Sequence, residues 1–205
     1  MKNNQLRFLI SMCFILAISC GEKKKTKSDN VSISEEKKVT DYVKEAKENI
    51  STKNKLEETT PITSEELDEW IPNKIAGLER TTYLTDINPK LEIFMAKAKY
   101  TTPSSKKSLD ITFMDGAGER GSKAIGPYLN LENLYKDETT NQGFQKVISK
   151  NNMVIVQKYR KQGDKFILEF APKDRYAIKI ETESFSEEEL WDAVDYFNFD
   201  KLKGI

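Results

Sequence analysis

Three segments in the last third of this 205-residue chain leave little freedom of architecture. Met153 to Arg160, Lys165 to Ala171 and Arg175 to Glu183 are rich in β-branched and aromatic residues, the composition of strands. The short links between the three contain Gln162-Gly163-Asp164 and Pro172-Lys173-Asp174, and both triplets are turn formers. Strands joined this tightly pair antiparallel, because a parallel partner needs a crossover of a dozen or more residues. The segment is therefore expected to be a meander.

A helix is expected directly after it. Ser186 and Glu189 have the spacing of a capping box, and Glu187 and Glu188 suit the positive end of a helix dipole. Leu190, Trp191, Val194 and Phe197 then form one apolar stripe. Upstream, Thr63 and Glu66 form a second box, opening a short helix that runs through Trp70 and stops at Pro72. Phe94, Ala96, Ala98 and Tyr100 alternate with Met95, Lys97 and Lys99. Leu109, Ile111 and Phe113 alternate with Asp110 and Thr112, which gives two more half-buried strands. The expected fold class is α+β: an antiparallel meander sheet with helices packed on one face, preceded by a disordered tether.

The N-terminus carries a different kind of signal. Lys2 and Arg7 precede an apolar run from Phe8 to Ile18, broken only by Ser11. That run is far short of the roughly twenty residues a bilayer-spanning helix needs, so residues 1–19 read as a signal peptide. It ends in Ser19-Cys20-Gly21, small residues leading to a cysteine, with Ala17 and Leu16 just before. This pattern resembles the lipobox of bacterial lipoproteins, and the resemblance implies that Cys20 becomes the lipid-bearing first residue of the mature chain. It also implies a cell-envelope location. Gly21 stands where an aspartate often retains such proteins at the inner membrane, so the outer membrane is the expected site.

Residues 20–60 read as the lipidated cysteine followed by a charged tether, rich in Lys, Glu, Asn, Ser and Thr. Such a composition buries too little apolar surface to offset the cost of ordering. Lys23, Lys24, Lys25 and Lys27 sit next to the anchor, diluted by Glu22 and Asp29. Within the tether, Val39, Tyr42, Val43, Ala46 and Ile50 fall at helical spacing, the pattern of a short amphipathic helix. Residues 61–205 are expected to form a single globular domain. In architecture that domain is similar to PsbP/Mog1-like domains, which pair an antiparallel sheet with flanking helices, and no functional residue carries over from them.

Chemistry is constrained mostly by what is missing. The chain has no histidine, and its two cysteines are Cys13, inside the leader, and Cys20. The mature domain thus lacks Cys/His zinc sites, Ser-His-Asp and Cys-His catalysis and histidine-ligated haem. No catalytic residue, metal site or cofactor is assigned. The 33 basic and 33 acidic residues balance, and loss of Lys2 and Arg7 leaves about −2, so no field draws the protein to nucleic acid.

Gly116-Ala117-Gly118-Glu119-Arg120-Gly121 spells GxGxxG after a strand. A dinucleotide site needs a helix and a parallel crossover beyond it; here Gly126-Pro127 breaks any helix after about a turn. The stretch from Gly116 to Gly126 is instead read as a glycine-rich loop, with Arg120 and Lys123 as candidate anion-binding residues. Glu187, Glu188 and Glu189 point about 100° apart on a helix and do not converge on a cation. Tyr196 and Phe199 are candidates for an exposed partner patch, whereas Trp191 and Phe197 belong to the core stripe.

These readings converge on a binding domain held to the membrane by a lipid anchor. The expected partner is another envelope protein, a glycan or a host molecule. An envelope assembly or trafficking factor sheltering an apolar ligand, and a carboxylate- or metal-dependent enzyme, are the alternatives.

Overall fold

The computed structural model describes residues 33–87, 89–103 and 106–205, with side chains from Thr40 onward. The signal peptide, Cys20 and the first part of the tether lie outside the described residues. The chain divides into two units, Met1–Val39 and Thr40–Ile205. Of the first, only the backbone of 33–39 is described, as helix.

In the second unit the α+β class holds. Nine strands form one sheet, each pairing antiparallel with its neighbours. They are β1 (Lys74–Ile75), β2 (Leu78–Thr85), β3 (Met95–Thr101), β4 (Ser108–Asp115), β5 (Glu138–Thr140), β6 (Gly143–Lys150), β7 (Met153–Arg160), β8 (Lys165–Phe170) and β9 (Tyr176–Glu183). The spatial order β1-β2-β3-β4-β9-β8-β7-β6-β5 makes two meanders laid side by side. They meet where β4 pairs β9, with Ile111 opposite Ile180 and Phe113 opposite Ile178. The strands expected at 153–183 and 95–113 are all present.

The helices are α1 (Ile33–Glu57), α2 (Ser64–Trp70), α3 (Gly118–Ala124), α4 (Leu131–Leu134) and α5 (Glu187–Val194). Both expected capping boxes form: the Thr63 hydroxyl accepts from Glu66 N at 3.2 Å, and that of Ser186 from Glu189 N at 3.2 Å. These caps matter because α2 and α5 have seven and eight residues, too short to persist without them and without packing.

One face of the sheet carries the main core. Ala96, Ala98, Tyr100, Leu109, Ile111, Phe113, Ile178 and Ile180 meet Leu67 and Trp70 of α2 and Leu190, Ala193 and Val194 of α5. Side chains alternate along a strand, so Met114 and Ala177 point to the opposite face. There a second, smaller cluster joins Ala177 to Leu56 of α1 and Ile125, just past α3, with Met114, Tyr128 and Leu129 packed against it. The long link from β4 to β5 runs through α3 and α4, and α4 packs beside β7. Helices on one face describes α2 and α5, while the second face is partly covered as well.

The compact unit runs from Thr40 to Ile205. Full burial of Leu56 draws the last turns of α1 onto the sheet. One leucine in a strongly polar stretch gives no periodic signal, so composition alone reads this segment as tether. The stretch read as a loop at 116–126 is likewise mostly α3, which ends just before Gly126-Pro127 as those residues require.

Candidate functional site

The end of the sheet where β4 stops and β9 starts is organised by a buried ion pair. Asp115 and Arg175 retain 0% and 4% of their side-chain exposure. Asp115 Oδ1 accepts from Arg175 Nε at 2.9 Å and from Ala117 N at 3.0 Å. Its Oδ2 accepts from Arg175 Nη2 at 2.9 Å and from Ile62 N at 2.7 Å. The rest of the guanidinium donates to the carbonyls of Thr60 and Gly204, each at 3.0 Å. Burial depresses the guanidinium pKa, but the hydrogen bond and charge of Asp115 outweigh it, so the net shift is upward. A buried charge pair is tolerable only when its remaining donors and acceptors are used, as they are here.

The first and last of the GxGxxG glycines serve this clamp. Gly116 N donates to Arg175 O at 2.8 Å, and a Cβ on Gly116 would stand 2.7 Å from that oxygen. A Cβ on Gly121 would come within 2.8 Å of Asp115 O. The spacing that mimics a dinucleotide turn is a close-packing requirement where α3 crosses the end of β4.

Beside the clamp, at the same end of the sheet, lies a cleft of about 780 Å³. Two hairpin turns form one wall. Asn151 and Asn152 both have positive φ (52° and 59°), the geometry of a two-residue hairpin between β6 and β7. The turn between β8 and β9 contributes Pro172, Lys173 and Asp174, and Arg175 of the clamp fixes its far end through Arg175 N to Pro172 O. The other walls come from Tyr128 to Glu132, from Glu45 of α1, and from Asp195 to Asp200 beyond α5.

Phe197 and Phe199 supply an aromatic floor, packed on Trp70 with ring centroids 5.3 and 5.9 Å away. Trp70 Nε1 in turn donates to Asn198 O at 2.9 Å, fixing the loop. Five carboxylates surround the opening: Glu45, Glu132, Asp174, Asp195 and Asp200. The one basic lining residue, Lys173, pairs with Asp200 at 3.4 Å. The C-terminal end of α5 adds its own partial negative charge at Asp195. Tyr128 remains a neutral phenol, its pKa pushed up to about 12 by burial and then by the nearby charge of Glu169.

The residues singled out from sequence fall in different places. Phe199 lines the cleft, half-buried against Trp70, Phe170 and Phe197. Tyr196 stands exposed (53%) in the same loop. Arg120 and Lys123 lie on the exposed side of α3 and do not line this cleft. Each is matched by a carboxylate: Arg120 by Glu92 at 3.3 Å, Lys123 by Glu119 at 2.7 Å. Glu187 and Glu189 are engaged separately, by Gln157 and by Lys107 with the Ser186 cap. Sequence reasoning missed the cleft carboxylates; the only local signal was the turn chemistry at Asn151-Asn152 and Pro172-Lys173-Asp174. No group of three or more acidic, His or Cys side chains among the described residues is arranged to hold a metal ion, and no described helix is long and apolar enough to cross a membrane. No family model, curated protein or solved structure matches this chain.

Proposed function

We propose that this chain is a lipid-anchored cell-envelope protein whose α+β domain is a non-catalytic binding module, with the acidic cleft as its seat. The occupant is a segment of a partner protein bearing Lys or Arg. The observation that carries this reading is the charge imbalance at the cleft: five carboxylates and a helix C-terminus against one already paired lysine, in a chain with no net charge. The Phe197–Phe199 floor favours the reading, because the stems of long basic side chains lie well on aromatic rings. The rigid turns and the clamp beneath them hold the walls without the ligand, which lowers the cost of binding.

Two measurements test it. A tetralysine peptide should bind the purified chain and tetraglutamate should not, with affinity falling as salt rises. Changing Asp174, Asp195 and Asp200 together to asparagine should abolish the binding. Equal binding of both peptides, or an unchanged triple variant, refutes the cleft assignment. The anchor is tested by radiolabelled palmitate, whose incorporation should vanish in Cys20→Ala; unchanged labelling excludes that cysteine.

A further inference from the structure

Large apolar side chains left in water are scattered singly over most of the domain, at Leu84, Leu91, Leu134 and Tyr196. On α1 they are not. Tyr42, Val43 and Ile50 are 58%, 48% and 59% exposed, and Ala46 between them is exposed as well. At about 100° per residue these four span an arc of roughly 100° on the helix. Leu56, which docks α1 on the sheet, lies about 40° beyond Tyr42 on the other side of that arc. The fold thus uses one stripe of α1 and leaves an adjacent apolar stripe in solvent. Isolated apolar residues on a surface need no explanation, but a row of them along one helix flank does.

The occupant is set by where this helix sits in the chain. Between Cys20 and the start of α1 at Ile33 there are only twelve residues. Even fully extended they reach about 45 Å. A helix so close to an anchored residue meets the bilayer at an effective concentration in the millimolar range. The intervening segment contains Lys23, Lys24, Lys25 and Lys27, which favour a headgroup surface at about 1 kcal/mol each where the lipid is anionic.

We infer that the flank of α1 carrying Tyr42, Val43, Ala46 and Ile50 rests in the headgroup layer of the bilayer that holds the lipid on Cys20. This rests on the anchor proposed above. The tether then does more than span a distance: its helix lies along the membrane and ties the domain to it at a second place. Tyr42 suits this role, since a phenol has an apolar ring and a polar tip. Interfacial helices are recognised by such a one-sided apolar flank on an otherwise polar cylinder.

The test uses the full lipidated chain in phosphatidylethanolamine–phosphatidylglycerol vesicles containing a spin-labelled lipid quencher. The mature chain has no free thiol, so bimane can be placed at Val43→Cys, Ile50→Cys and, as control, Lys55→Cys on another side of α1. Quenching at positions 43 and 50 should exceed that at 55 at least twofold, and Tyr42→Ser should reduce it. Equal quenching at all three sites overturns the inference, and palmitate labelling that persists in the same preparation leaves the anchor standing. Loss of labelling removes both. Disulfide-linked dimers through Val43→Cys, or shielding of the bimane from iodide without quenching by lipid, identify a protein on this flank and also overturn it.

Discussion

Replacing Arg175 by methionine keeps most of the side-chain volume and removes the charge, leaving the Asp115 carboxylate fully buried with only the amides of Ile62 and Ala117 as donors. It also frees the carbonyls of Thr60 and Gly204, which the guanidinium holds. Breaking one side of a buried, hydrogen-bonded pair costs about 3–5 kcal/mol, mainly because the survivor is an uncompensated charge. For a domain of this size that corresponds to a melting point lower by about 6–20 °C. The urea midpoint should fall with the slope unchanged, since the surface exposed on unfolding is the same. Asp115→Asn should cost a comparable amount. The double variant should cost less than the sum of the two, with a coupling of at least about 2 kcal/mol, because neither charge is then stranded. A cost below about 1 kcal/mol for Arg175→Met, or strictly additive effects, would refute the assignment of this pair as the clamp.

Gly121→Ala places a methyl against the Asp115 carbonyl and should destabilise by about 1–3 kcal/mol in the same urea assay, although the change is favourable in an ordinary helix. Burial pushes Tyr83 and Tyr128 up to about 12 and raises Tyr100 and Tyr176 as well, all from the ordinary phenol value of 10. A raised folded pKa gives stability that is complete below 10 and lost as pH rises through the folded value. Ultraviolet titration should therefore show these four ionising late and together with unfolding between about pH 10 and 12; early, reversible ionisation would contradict their burial. At the acid end, Lys203, Lys165 and Lys107 hold Glu66, Glu183 and Glu189 below 4.5. Their contribution is present above that value and declines as pH falls through the folded pKa, so the urea midpoint should drop below pH 4.5. Because the three are half open to solvent, added salt should flatten the drop. Phe199→Ala should weaken tetralysine binding several-fold, with a smaller loss of stability than Phe197→Ala.

Much of the sheet could be read from sequence because its elements are local. β7, β8 and β9 announce themselves by composition and by turns of a few residues, and α2 and α5 by reciprocal caps. β6 and β2 do not. Both faces of β6 are half covered, so Phe144, Gln145, Val147 and Ile148 show no alternation of burial. The register of β2 against β3 shifts between Arg80 and Thr82, which breaks the period of two. The burial of Leu56 is a long-range event that periodicity cannot show. The cleft is harder still, because its walls come from segments as far apart as Glu45 and Asp200. Phe199 could be noticed as an aromatic beyond the helical stripe. As cations in a glycine-rich stretch, Arg120 and Lys123 stand out in the sequence. Glu119, four residues before Lys123, is a visible partner for it, whereas Glu92 becomes one for Arg120 only in the fold.

An open sheet of nine strands has two rims, and here each is trimmed. β1 is two residues long and β5 three, so neither outermost strand itself presents a long ladder to a foreign strand. Past the end of β5, the Asp137 carboxylate accepts from Val147 N at 2.8 Å, occupying the next donor along β6. If the chain is anchored as proposed above, neighbours meet in two dimensions and in similar orientations, and such blunted rims then oppose sheet-to-sheet polymerisation. Crowding can then raise the local density of these domains without turning them into fibres.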